Sequence, residues 1–150
     1  MNRASDNLMG STENGMAERD MHKLKILVVD DDPRYLELLE FTLAGEGFDV
    51  RTAQNPTTVQ ALAVCWEPDV IVTDVTMPGL DGYALAAGLK ADPRTAGIPL
   101  IFVTARGQDA ERQQGLSMGG VDYLMKPFSV ADLVASIRRV AGRVAERGER

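Results

Sequence analysis

Short apolar, β-branched runs recur along this chain, each followed by a longer stretch with helical spacing, and that alternation restricts the fold more than any other feature. Lys25–Val29 (KILVV) is apolar without interruption, as expected of a strand covered on both faces. Asp32 followed by Pro33 reads as an N-cap with proline at the first helical position. Leu36, Leu39 and Leu43 then repeat at helical spacing up to the stop at Gly45-Glu46-Gly47. The stretch 48–53 alternates like a strand, and Asn55-Pro56 opens a helix with Val59, Leu62, Ala63 and Trp66 on its core side. A third strand spans 69–74, the loop 77–82 is dense in turn residues, and a short helix runs from Tyr83 to about Ala91 before Asp92-Pro93. A fourth strand covers 99–104, a helix covers about 109–118 up to Gly119-Gly120, and a fifth strand covers 121–125. Ser129 with Asp132 makes a variant capping box for a last helix with core stripe Leu133, Val134, Ile137, Val140 and Val144.

Five strands alternating with five helices, (βα)5, predict an α/β fold with a doubly wound, five-stranded parallel sheet. One domain is expected at 24–144, flanked by a polar, aperiodic arm at 1–23 and a tail at 145–150. The arm is read as mobile because it buries too little apolar surface to offset its ordering entropy, and the polar stretch from Gly142 to Arg150 is read as fraying. Met16 and Met21 leave a native start later than Met1 open. No apolar run approaches the ~18 residues of a membrane span, so a soluble, cytoplasmic protein is expected. The single Cys65 excludes an intramolecular disulfide and reads as a partly buried, inert thiol beside Trp66. The single His22 excludes a multi-histidine metal site within one chain. A net charge of −6 has the wrong sign for sequence-independent nucleic-acid binding.

Ligands of parallel α/β sheets sit outside the carboxyl ends of the strands. There the sequence places Asp30-Asp31-Asp32, Asp74, Thr104 and Lys126. Carboxylates brought that close repel unless a cation is present, and an all-oxygen ligand set favours a hard ion such as Mg2+, with Mn2+ as a substitute. The metal together with Lys126 and Thr104 exceeds what three carboxylates need, and that surplus suits a transferred phosphoryl group. Asp74 is then the candidate nucleophile, since an aspartate can form an acyl phosphate. Asp32 reads instead as a helix cap, and Asp81 and Gly82 as turn formers.

The segments 28–33 (VVDDDP), 72–78 (VTDVTMP), 102–105 (FVTA) and 122–128 (DYLMKPF) together resemble the receiver domain of bacterial response regulators in two-component signalling. The resemblance covers roughly 23–144, with all four motifs in order. It implies a flavodoxin-like receiver fold in which Asp74 accepts phosphate from a phosphohistidine of a histidine kinase or histidine phosphotransfer protein. Asp30, Asp31, Asp74 and the main-chain carbonyl of Thr76 would hold Mg2+, Thr104 and Lys126 would contact the phosphoryl oxygens, and the Lys126-Pro127 bond would be cis. Thr104 and Tyr123 would form the switch, read out on the face of the fourth helix, fifth strand and fifth helix. Thr76 and Arg106 would tune phosphoryl lifetime, Arg106 by partly covering the aspartyl phosphate against water.

The resemblance implies no turnover enzyme, only self-phosphorylation from phosphodonors and autodephosphorylation. Output is expected through a downstream protein, with no direct nucleic-acid or membrane contact, from a monomer or a phosphorylation-dependent dimer. The alternatives are a phosphorelay shuttle, or a receiver fragment of a larger DNA-binding regulator or hybrid kinase. A remoter one is an aspartate-nucleophile, Mg2+-dependent phosphatase of the haloacid-dehalogenase group, whose Asp-x-Asp motif Asp30 and Asp32 mimic. The threonine that should follow that motif, and the late acidic pair after a lysine, are missing.

Overall fold

Strands β1 (Lys25–Val29), β2 (Asp49–Ala53), β3 (Val70–Asp74), β4 (Leu100–Thr104) and β5 (Gly120–Met125) pair in parallel, in the order β2-β1-β3-β4-β5. The structure is a computed structural model that describes residues 23–75, 82–104 and 120–146. The helix expected at 109–118, the arm up to residue 22 and residues 147–150 lie outside the described residues. Helices α1 (Pro33–Gly45), α2 (Val59–Trp66), α3 (Gly82–Ala91) and α4 (Val130–Glu146) cover the two faces of the sheet.

The pleat divides the apolar strand residues between two cores. Leu27, Val29, Ile71 and Phe102 point to the face covered by α2 and α3, where they meet Val59, Ala63, Leu85, Ala86 and Leu89. Ile26, Val28, Val72, Ile101 and Val103 point to the other face and meet Leu36, Leu39 and Leu43 of α1 and Leu133, Ile137 and Val140 of α4. Burial of both faces is why β1 and β3 carry unbroken apolar runs rather than an alternating pattern.

Local chemistry sets the helix ends. Asp32 Oδ1 accepts from the Arg34 N–H at 3.0 Å, so α1 begins at Pro33. Ser129 Oγ accepts from the Asp132 N–H at 3.0 Å while the Asp132 carboxylate faces the Ser129 N–H at 3.5 Å, a reciprocal cap on α4. Two readings need correction. Asn55-Pro56 opens a 3-10 turn over Pro56–Thr58, and α2 begins only at Val59. Asn55 accounts for this: its side chain accepts from the Thr57 N–H and its carbonyl from both the N–H and hydroxyl of Thr58, closing a tighter i→i+3 turn. Cys65 is exposed, because α2 turns Val59, Ala63 and Trp66 inward and leaves it on the outer face. The last helix spans Val130–Glu146.

Strand β5 is tied to α4 by one side chain. Asp122 Oδ2 accepts from the buried Ser136 hydroxyl at 2.5 Å and from Arg139, and Oδ1 accepts from the Tyr123 N–H at 2.8 Å. Burial alone would raise the Asp122 pKa, but these donors outweigh it and hold the carboxyl below the usual carboxylate range. The resulting stabilisation is complete above the ordinary carboxylate pKa and disappears as pH falls through it toward the depressed folded value. Asp122→Ala leaves the Ser136 hydroxyl buried without this acceptor. It is expected to lower stability at pH 7 by about 1–3 kcal/mol and to flatten the loss of stability on acidification, as read by urea unfolding at pH 7 and pH 3.5.

Candidate functional site

The sheet order reverses between β1 and β3, which opens a crevice at their carboxyl ends. Asp30 follows β1 directly, and its N–H donates to Ala53 O at 3.2 Å, which fixes it against the end of β2. Asp74 is the last residue of β3, in register with Val103 of β4. Lys126 follows β5 directly, its bond to Pro127 is cis, and its side chain reaches back into the crevice. Each charged group therefore stands where a strand stops pairing and its side chain can turn to the rim.

The three carboxylates of Asp30, Asp31 and Asp74 each offer an oxygen within 4.8 Å of the others. Octahedral ligands at Mg–O distances of about 2.1 Å stand about 3.0–4.2 Å apart, so these oxygens need to draw in only slightly to hold one small, hard cation. Among the described residues, three carboxylates facing the ammonium of Lys126 leave two negative charges, which one divalent ion matches. Lys126 Nζ donates to Asp30 Oδ2 at 3.2 Å and stands 3.7 Å from Asp74 Oδ2. Its remaining side lies over the ring of Tyr35, 4.3 Å from the centroid.

Accessibility distinguishes the two inner acids. The Asp30 side chain is 4% exposed and that of Asp74 is 13% exposed. Burial pushes the Asp30 carboxyl above its usual range, and the charge of Asp74 adds to this, against the opposing pull of the Asp32 N–H and the Lys126 ammonium. Asp30 is thus the buried anchor, paired with the lysine and accepting from Asp32 N–H at 3.0 Å. Asp74 is the more exposed of the two.

Tyr123 is buried, with its hydroxyl 3.4 Å from that of Tyr83 on α3. Phe102 of β4 packs against both rings, edge-on to Tyr83 at 5.1 Å and tilted to Tyr123 at 6.5 Å. Thr104 ends β4 opposite Met125, one residue before Lys126, so its backbone stands at the same rim. The Thr104 side chain, Thr76 and Arg106 lie outside the described residues. Sequence reasoning passes over Tyr35; an aromatic in the first turn of a helix that starts at the acidic strand end is the signal that could have found it.

The chain resembles known proteins in both sequence and fold. The sequence profile of the response regulator receiver domain matches residues 26–138. The chain is 40% identical over 119 residues to the DNA-binding dual master transcriptional regulator RpaA of Synechocystis sp., covering 79% of this chain and 49% of RpaA. It is 39% identical over 118 residues to the phosphate regulon transcriptional regulatory protein PhoB of Pseudomonas aeruginosa, covering 79% of this chain and 52% of PhoB. Among solved structures, the chemotaxis protein CheY4 of Vibrio cholerae superposes with a TM-score of 0.76 at 28% identity, over 79% of this chain and 99% of CheY4. The fold is that of a two-component signalling domain, and the chain belongs to the response regulator receiver domain family. It spans about half the length of the two regulators it matches.

One glycine packs directly against the backbone of Asp74. A Cβ added to Gly82 would stand 2.4 Å from Asp74 O and 3.0 Å from Val75 Cα, while the Gly82 N–H donates to Val75 O at 2.6 Å. Helix propensity alone favours alanine over glycine by up to ~1 kcal/mol, but the overlap with main-chain atoms is the larger effect. Gly82→Ala is expected to destabilise the protein by about 1–3 kcal/mol, seen as a lower urea midpoint with unchanged slope.

Proposed function

We propose that this chain is a phosphoacceptor switch in which Asp74 receives a phosphoryl group from the phosphohistidine of a histidine kinase or a histidine phosphotransfer protein. An Asp74 carboxylate oxygen attacks phosphorus, the phosphorus–nitrogen bond breaks, and the departing imidazole takes up a proton. Lys126 moves from its pairing with Asp30 toward the new phosphoryl oxygens, and the Thr104 hydroxyl donates to the same group. Mg2+, or Mn2+ in its place, held by Asp30, Asp31, Asp74 and the Thr76 carbonyl, would offset the charge of the phosphoryl oxygens. Tyr123 reports the state of Thr104 to the adjoining surface, where a downstream protein binds. Thr76 and Arg106, each two residues beyond an active residue, set how long the phosphoryl group survives. The activity is self-labelling followed by self-hydrolysis, in the cytoplasm where the kinase acts; among the described residues no helix is long and apolar enough to cross a membrane.

The observation that carries this reading is the meeting of Asp30, Asp74 and Lys126, from three separate strand ends, at one crevice. The names of RpaA and PhoB favour a second reading of the output, in which the receiver governs a DNA-binding partner domain.

Wild-type protein incubated with acetyl phosphate and Mg2+ is expected to gain one phosphoryl mass by intact mass spectrometry, and Asp74→Asn none. Continuous turnover of a phosphate monoester, or equal labelling of the variant, would contradict the proposal.

A further inference from the structure

The environment of Lys126 contains one partner that the phosphoacceptor reading does not require. The ammonium donates to Asp30 at 3.2 Å, faces Asp74 at 3.7 Å, and lies 4.3 Å from the centroid of Tyr35 in the first turn of α1. An ammonium has three N–H bonds, and two carboxylates on one side leave the rest of the cation turned to the ring face. The Lys126 side chain is 28% exposed, so it has lost much of its hydration, which is the condition under which a cation–π contact strengthens. Tyr35 is itself anchored, packing at the margin of the α1–α4 core. Burial, with the charges of Asp30 and Asp74, holds its phenol far above the usual ionisation range, so the ring stays a neutral phenol.

We propose that Tyr35 is a positioning residue for phosphoryl transfer: its ring face holds the Lys126 ammonium at the crevice, aimed at Asp74. This rests on the reading of Lys126 as the phosphoryl-contacting cation. Without the ring, the long lysine side chain regains rotamer freedom, and each binding event must first order it. The placement is asymmetric in its consequences. The ring face meets the ammonium, so its loss is felt first by the phosphoryl oxygens that Lys126 meets and less by the acidic cluster.

The test measures affinity for beryllofluoride, a phosphoryl mimic, in the presence of Mg2+, and affinity for Mg2+ alone, in wild type, Tyr35→Phe, Tyr35→Leu, Lys126→Gln and the Tyr35→Leu/Lys126→Gln pair. Tyr35→Leu is expected to weaken beryllofluoride binding about fivefold and Tyr35→Phe less than about twofold, with Mg2+ affinity unchanged in both. In the Lys126→Gln background the leucine substitution is expected to cost nothing further. The Lys126 ε-proton resonances, shifted upfield by the ring, are expected to lose that shift in Tyr35→Leu and keep it in Tyr35→Phe. Wild-type affinity in Tyr35→Leu, an equal loss in Tyr35→Phe, or a loss that persists without Lys126 overturns the inference while leaving the phosphoacceptor reading intact. Failure of the wild type to bind beryllofluoride with Mg2+ overturns that reading and the inference with it.

Discussion

Repulsion among carboxylates at one sheet edge is the constraint that the rest of this structure answers. Two like charges within 4.8 Å repel by about 3–4 kcal/mol at an effective dielectric of 20, a large share of the ~5–15 kcal/mol that holds a domain together. Lys126 offsets part of that cost, while the Asp30 carboxyl is raised chiefly by its burial, with the Asp74 charge a smaller contribution. The energy that holds the acids in place comes from elsewhere: the strands that end in them are buried on both faces and cannot slip without exposing Ile26, Leu27, Ile71 or Val72. A rim of crowded acids on a rigid sheet is an arrangement that favours an incoming cation.

The site is continuous with the interior. Phe102 packs on both Tyr83 and Tyr123, so an aromatic layer connects α3 to β5 beneath the crevice. Asp122, next to Tyr123 on the same strand, clamps β5 to α4 through Ser136 and Arg139. A displacement of β5 is therefore felt on both sides of the sheet, by the ring of Tyr123 on one and by α4 on the other.

Much of this was legible in the sequence, for reasons that can be named. Every strand is placed within about one residue, because double-faced burial leaves unbroken apolar runs that turns interrupt sharply. Asp32-Pro33 and Ser129 with Asp132 announced their helix starts because capping is a short-range interaction. Asp30, Asp31, Asp74 and Lys126 were legible through topology: parallel strands oblige their carboxyl ends to share one edge. What escaped depends on three-dimensional neighbours. The 3-10 turn after Asn55 reflects competition from two threonines, the exposure of Cys65 turns on the angular position of α2, and the role of Tyr35 depends on a lysine far along the chain.

The bond between Lys126 and Asp30 joins residues 96 positions apart, and that separation has a consequence for how the site comes into being. Closing so long a loop is entropically unfavourable, so the last strand must be docked before the amine can meet its acids. The meeting of these side chains is a property of the finished tertiary structure, and no peptide that omits either β1 or β5 would inherit it.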